Sequence, residues 1–271
     1  MPTAKVQGAE IYYEVAGSGP PLILSAGGLQ GKGISYFSVI KELAQEHKVI
    51  TYDRRFGGKS NSPLVVQTWD LVCGDVFGLM DVLGIEQAYL GGGAFGAATS
   101  FGCAYRCPER VRAIFPSNIA GGVICNAYLG AKLFKSLDMA LTQGIKPIID
   151  AFDPDDRFSP FTPERAQYDE DYRKTLEAMD PEDFAQVMRG TISALFDGPY
   201  VSLGMTKETL KAIRVPTLIM PGNNDIHPRP IAEKVDRLVP NSQWGEVNPH
   251  TEAPQKYVRR VLEFLSGVEG G

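Results

Sequence analysis

Short apolar runs alternate with amphipathic stretches along the first 120 residues of the chain. Residues 9–15 have the pattern of a strand, and residues 22–25, with three consecutive apolar side chains, predict a second strand that is buried on both faces. Residues 37–47 then place apolar side chains at helical spacing, and residues 48–52 return to a strand pattern. The same alternation predicts a helix over 73–83, a strand over 87–90, a helix over 95–105 and a strand over 111–115. These elements predict an α/β fold with a mostly parallel, doubly wound sheet and helices on both faces.

The alternation stops in the middle of the chain. Between residues 121 and 205 helical patterns predominate, and the stretch 153–170 has no strand pattern. Strand character returns over 215–220, and it is followed by a helix over 229–238, a short strand over 243–247 and a closing helix over 254–265. We therefore predict a first core segment over residues 1–120, a helical cap over 121–205 and a second core segment over 206–271.

Composition narrows the class of protein. The 271 residues are 44% hydrophobic and 22% charged, which is enough for a large core and excludes disordered and fibrous architectures. Lysine and arginine total 27 against 32 acidic residues, without long basic runs, so we expect no nucleic-acid partner. No apolar run approaches the roughly 20 residues of a membrane helix, and the first residues lack the apolar segment of a secretory signal. We expect a cytoplasmic protein without a membrane partner.

Patterns for a metal or cofactor are incomplete in this chain. The four cysteines form no Cys-x-x-Cys pair, and three histidines add no zinc-ligand spacing, so we predict reduced thiols and no metal. Gly91, Gly93 and Gly96 match the G-x-G-x-x-G of dinucleotide sites, but the next strand ends without the carboxylate that would hold a ribose. Residues 57–60 end like a phosphate-binding loop, but Asp53 stands where that motif needs glycine. We predict no cofactor.

The most informative segment is Gly92-Gly93-Ala94-Phe95-Gly96, between a predicted strand and a predicted helix. It fits the nucleophile elbow G-x-S-x-G with alanine at the centre. Glycines two positions before and after the centre let the backbone turn sharply and present the central residue at the tip of the sheet. Taken alone, the glycine pattern fits an ordinary tight strand–helix junction equally well.

Further segments resemble the α/β-hydrolase superfamily, specifically its capped esterase, lactonase and carbon–carbon hydrolase branch. Residues 22–28 resemble the strand that ends in His-Gly in that family, with Ala26 in place of the histidine. Residues 52–60 are similar to the family's Asp-x-Arg-Gly-x-Gly-x-Ser turn, with Phe56 after a doubled arginine as a departure. Residues 81–85 and 108–111 also resemble family segments, and the resemblance covers about residues 9–120 and 210–266.

The resemblance implies a triad in the chain order nucleophile, acid, histidine. Asp225 follows a strand and a glycine turn at the family's acid position, although such a turn also suits a carboxylate that only caps a helix. His250 lies in the loop before the last helix, where the family has its base; the alternative is a solvated loop histidine. His227 is a rival base, but we expect it to line the site or cap the helix near Pro228. His47 ends an amphipathic helix, where a cation complements the helix dipole, and we assign it no catalytic role.

The family's oxyanion hole consists of two backbone N–H groups, which the resemblance places at Phe95 and Gly28. Neither donor depends on the identity of its side chain, so both would survive the loss of a nucleophile. Further residues expected to line the site are Gly27, Leu29, His227 and Asn118.

Alanine at position 94 cannot attack an acyl carbon, so the chain as written should be inactive or strongly impaired in covalent hydrolysis. One explanation is that an active Ser or Cys was replaced. A second is a natural enzyme in which His250 and Asp225 activate water or abstract a proton. A third is a non-enzymatic receptor for a small ligand on a hydrolase scaffold. The sequence does not decide between serine and cysteine as the original nucleophile.

We predict a hydrolase that cleaves an ester, lactone or carbon–carbon (ketone) bond of a small, largely apolar molecule. The sequence also allows a homodimer. The predicted cap supplies aromatic residues that could form an apolar pocket or could simply pack its core. Its arginines could pair with a substrate carboxylate or form surface salt bridges. These arginines are Arg157, Arg165, Arg173 and Arg189.

Overall fold

The computed structural model describes residues 2–154, 156, 158–247 and 254–270. Its strands are β1 (Thr3–Val6), β2 (Ala9–Ala16), β3 (Pro21–Ser25), β4 (Lys48–Tyr52), β5 (Ala88–Gly93), β6 (Val111–Ser117), β7 (Tyr200–Ser202), β8 (Met205–Thr206), β9 (Thr217–Ile219) and β10 (Ser242–Trp244). Its helices are α1 (Phe37–Leu43), α2 (Trp69–Val82), α3 (Phe95–Arg106), α4 (Gly122–Gln143), α5 (Lys146–Asp150), α6 (Glu170–Glu177), α7 (Pro181–Phe196), α8 (Lys207–Ala212), α9 (Arg229–Asp236) and α10 (Pro254–Glu269).

Within the described residues, eight strands form one sheet in the order β1-β2-β4-β3-β5-β6-β9-β10. The first two strands pair antiparallel, as does β2 with β4, and every later pairing is parallel. The predicted mostly parallel sheet is thereby confirmed. Strand β1 was not predicted, because its four residues alternate between only two buried and two exposed positions, which is too short a pattern to recognise.

The sheet has a hydrophobic layer on each face. Residues of α1 and α10, such as Leu43 and Val261, pack on one face, and residues of α2, α3 and α9, such as Val76 and Phe101, pack on the other. The central strands β3 and β5 are almost wholly buried between these layers, which explains why their apolar residues show no alternation.

A third hydrophobic cluster lies at the carboxyl ends of the strands. It joins Leu29, Phe56 and Phe95, which follow β3, β4 and β5, to residues of α4–α7 such as Leu133 and Phe184. Helices α4–α7 therefore pack over the edge of the sheet where parallel α/β folds place their binding sites. The boundaries 1–120, 121–205 and 206–271 stay a prediction.

The doubled arginine after β4 has two different environments. Arg55 forms a bidentate ion pair with Asp75 on α2 (Nε–Oδ2 2.6 Å, Nη2–Oδ1 2.8 Å), and its Nη2 also donates to the carbonyls of Val6 and Gln7. Arg54 is equally buried, but no described residue accepts a hydrogen bond from its guanidinium, which lies 4.0 Å above the Phe95 ring. Burial lowers the pKa of Arg54 to about 10.

Among the described residues, no helix is both long and apolar enough to cross a bilayer. The described His, Cys, Asp and Glu side chains form no group of three or more that could hold a metal ion.

His47 lies beyond the end of α1, which stops at Leu43, and is 4% exposed. Its ring meets the edge of Tyr89 at 5.8 Å, and burial lowers its pKa although Glu269 and Glu46 act in the opposite direction. The expected cation at the helix end is therefore wrong, because this environment favours the neutral ring.

We expect the free energy of unfolding to fall as the pH is lowered from 7.5 to 5.5. Below pH about 6.5 a histidine in the unfolded chain takes up a proton that buried His47 resists, so the unfolded state binds more protons. Urea unfolding at both pH values measures the change. The His47→Leu variant should lose part of the pH dependence, and equal dependence in the two proteins would contradict this account.

Candidate active site

The turn between β5 and α3 holds Ala94 in a conformation that L residues rarely adopt (φ 54°, ψ −112°). Two glycines permit this turn. A Cβ on Gly96 would lie 1.8 Å from the Ser25 carbonyl oxygen, and a Cβ on Gly92 would lie 2.5 Å from the same atom. Such a backbone costs about 1–3 kcal/mol and is found chiefly at functional sites. The geometry agrees with a nucleophile elbow centred on residue 94.

Neighbouring strands fix the elbow in place. The Ala94 N–H donates to the carbonyls of Ser117 (3.1 Å) and Asn118 (3.2 Å) at the end of β6. The Tyr36 hydroxyl accepts from the Gly93 N–H (2.9 Å) and donates to the Ser25 carbonyl (2.8 Å). Burial raises the pKa of Tyr36 to about 12, so the phenol keeps the proton that this bridge needs. Nothing in the local sequence singled out Tyr36, since its partners are distant in the chain.

The two expected oxyanion donors lie beside Ala94. A Cβ on Gly27 would be 3.3 Å from the Ala94 Cβ, which places the loop after β3 against the elbow. Gly28 follows with φ 74° and is exposed, and Phe95 begins α3. No described residue accepts a hydrogen bond from the N–H of Gly28 or Phe95. Free N–H groups at a helix N-terminus favour a developing negative charge.

Three cavities are lined by residues of this turn, of the loop after β3 or of the loop after β9. The first, of about 330 Å³, is lined by Ala94 together with Gly27 and Asn118, both of which were expected at the site. The second, of about 320 Å³, includes Gly27, Gly28 and the expected Leu29, and it reaches Tyr128 on α4. The third, of about 470 Å³, extends from Tyr128 to Asp225 and Ile226. Gly27 lines the first and second cavities and Tyr128 lines the second and third, so neighbouring cavities share a lining residue.

Asp225 lies in the loop after β9, at the carboxyl edge of the sheet. It is exposed and lines the third cavity, and the structure gives its carboxylate no hydrogen bond to a described residue. His227 is half-buried in the same loop, and its Nδ1 lies 3.1 Å from Oδ1 of Asn224. His250 lies outside the described residues, so its expected contacts with Asp225 and Ala94 stay predictions.

The cap arginines that the structure describes are occupied by acidic neighbours. Arg165 pairs with Asp169, and Arg189 pairs with Glu182. Arg173 pairs with both Asp150 and Glu177. Of the two roles considered for these arginines, the salt bridge is therefore the one observed. Arg157 lies outside the described residues.

The strand order and the strained turn at Ala94 are those of the α/β-hydrolase fold. The α/β-hydrolase fold family matches residues 20–134. The chain therefore has the α/β-hydrolase fold, and this match supports an enzyme of that superfamily.

Curated relatives are hydrolases. The chain is 28% identical over 277 residues to a provisionally assigned carbamate hydrolase, RutD, of Azorhizobium caulinodans, with 99% of this chain and 100% of the relative aligned. It is 35% identical over 111 residues, or 39% of this chain and 38% of the relative, to 2-hydroxymuconate semialdehyde hydrolase of Pseudomonas sp. CF600. Among solved structures, the enol-lactonase of Burkholderia xenovorans LB400 superposes with a TM-score of 0.67 at 21% identity, covering 98% of this chain and 100% of that one. At this identity the superposition shows the shared fold.

Proposed function

We propose that this protein is built to cleave an ester, lactone or carbon–carbon (ketone) bond of a small molecule through a triad of residue 94, His250 and Asp225. The observation that carries this proposal is the strained turn at Ala94, flanked by the unused N–H groups of Gly28 and Phe95. Strained backbone conformations cluster at functional sites, so the turn at Ala94 supports this assignment.

The proposed mechanism follows from the positions of these groups. The N–H groups of Gly28 and Phe95 would bind the carbonyl oxygen of the substrate and stabilise its negative charge in the transition state. A serine or cysteine at position 94 would attack the carbonyl carbon after His250 removes its proton, and Asp225 would orient His250. Ala94 has no atom for this attack, so the chain as written would bind a carbonyl compound without forming an acyl-enzyme.

Residues 121–205 would act as a cap over this site, since α4 contributes Tyr128 to two of the cavities. We further propose that the protein acts on its substrate without a cofactor, in the cytoplasm, as a monomer or a homodimer.

The chain as it stands and its His250→Ala and Asp225→Asn variants separate the proposal from a water-activating enzyme. We expect no turnover of aryl esters, lactones or 1,3-diketones by any of the three, because none has a nucleophile. Calorimetric titration should still detect carbonyl compounds binding to the unsubstituted chain. Turnover by the unsubstituted chain that disappears in His250→Ala would instead identify a water-activating enzyme and would contradict the covalent mechanism.

A further inference from the structure

The second cavity, beside the loop of Gly27 and Gly28, carries an excess of positive charge. Lys32, Lys132 and Glu164 are the charged residues among the described side chains that line it. Lys32 pairs with Oε1 of Glu164 at 2.9 Å, and the other oxygen of Glu164 accepts from the Gly58 N–H at 2.9 Å. Because Glu164 is used by these partners, the other lysine that lines the cavity has no ion pair with a carboxylate among the described residues.

That cation is Lys132, a half-buried residue of α4. Its one hydrogen bond to a described residue is a long contact of 3.4 Å to the main-chain oxygen of Asp156, and its ammonium lies 5.9 Å from the centre of the Tyr128 ring. Burial lowers the pKa of Lys132. The exposed carboxylate of Asp156 raises this pKa, and the positive charge of Lys135 lowers it further. A partly desolvated ammonium gains more from an anionic partner than a fully hydrated one does.

We propose that this cavity binds a carboxylate group of the substrate and that Lys132 is its ionic partner. The substrate class is then a small carboxylic acid that also carries the ester, lactone or ketone to be cleaved. This inference rests on the proposed function for the reacting carbonyl, since Gly28, one of the two oxyanion donors, lines the same cavity.

The dimensions and the remaining lining fit such a compound. The cavity of about 320 Å³ is at the lower end of the range of small-molecule sites, about 300–1,000 Å³. Leu29, Leu129 and Phe152 also line it, so the segment between the carboxylate and the carbonyl should be apolar. The described cap arginines do not compete for the carboxylate, because each already has an acidic partner.

Binding to the chain as it stands tests the proposal without requiring turnover. The probes are 4-oxo-4-phenylbutanoate and levulinate, each titrated calorimetrically beside its neutral methyl ester. We expect Lys132→Met to weaken binding of the acids by about tenfold to a hundredfold, the usual range for losing a charge-assisted hydrogen bond, and to leave the esters nearly unchanged. Lys132→Arg should retain most of the affinity. Asp156→Asn should tighten acid binding, because it removes the competing carboxylate and keeps the acceptor for the Phe158 N–H.

Lys135→Met is the matched control. Lys135 is exposed on the same helix, does not line the cavity and donates to the Phe158 carbonyl at 2.9 Å, so its removal should weaken acid binding far less than Lys132→Met does. Acids that bind no tighter than their esters, including failure of both to bind, would overturn the proposal. Equal weakening of acids and esters by Lys132→Met would also overturn it, because that result identifies a structural role. The proposed hydrolysis is judged separately, by turnover after a nucleophile is placed at residue 94.

Discussion

Ala94→Ser and Ala94→Cys will create hydrolytic activity that exceeds that of the unsubstituted chain by several powers of ten. Removing the nucleophile of a triad hydrolase costs on the order of a millionfold in turnover, and the other parts of the proposed machinery are present here. Serine and cysteine share the Cβ of alanine, so the turn at φ 54° that already holds Ala94 should hold either of them without added strain. Initial rates on a panel of aryl esters, lactones and 1,3-diketones, with and without a carboxylate, measure the gain.

The matched control is Ala94→Gly, which relaxes the turn and adds no nucleophile, so it should remain inactive. His250→Ala in the Ala94→Ser background should remove nearly all of the gain, since the members of a triad act as a unit. If Ala94→Ser and Ala94→Cys both fold and bind carbonyl compounds but remain inactive, the result would favour the receptor alternative and refute the proposed hydrolysis.

Arg55→Met will lower the free energy of unfolding by about 3–5 kcal/mol, the cost of breaking a buried ion pair by removing one partner. Arg55 and Asp75 are 5% and 7% exposed, so the remaining carboxylate cannot regain its hydration. Its other hydrogen-bonding partner is Gln7, whose neutral amide lies 3.0 Å from Oδ1. Denaturation with urea, followed by circular dichroism, measures the loss. The double variant Arg55→Met with Asp75→Leu should recover most of it, because a buried ion pair replaced by apolar side chains is often neutral.

Arg54→Met provides the comparison at the adjacent position. Its guanidinium has no described hydrogen-bond acceptor, so methionine leaves no carboxylate unpaired. The lost contact with the Phe95 ring is worth about 2 kcal/mol when desolvated, whereas a buried cation costs several kcal/mol of desolvation, and methionine removes that cost. We therefore expect no loss of stability. Equal destabilisation by Arg54→Met and Arg55→Met would contradict the two environments described above.

Much of the fold was predictable because its signals are local. Strand and helix periodicities located most elements to within a few residues, and the glycines around Ala94 predicted the sharp turn before α3. The errors also have local causes. Strand β1 is too short to show a pattern. The helix that ends at Leu43 is predicted to reach His47 because residues 44–47 continue its amphipathic pattern. The short elements β7, β8 and α8 were also missed, and the elements that were predicted occur in the predicted order.

The sequence by itself determined the fold class, the position of the elbow and the absence of a nucleophile at residue 94, because these depend on side-chain periodicity, glycine conformation and atom type. Only the tertiary structure decided what each charged residue does. Arg54 and Arg55 are adjacent and identical in the sequence, yet one stacks on Phe95 and the other pairs with Asp75. Lys132 forms no ion pair with a described residue, whereas the described cap arginines each form at least one. The energy of a charge depends on burial and on partners brought together from distant parts of the chain, and a local pattern of residues contains neither.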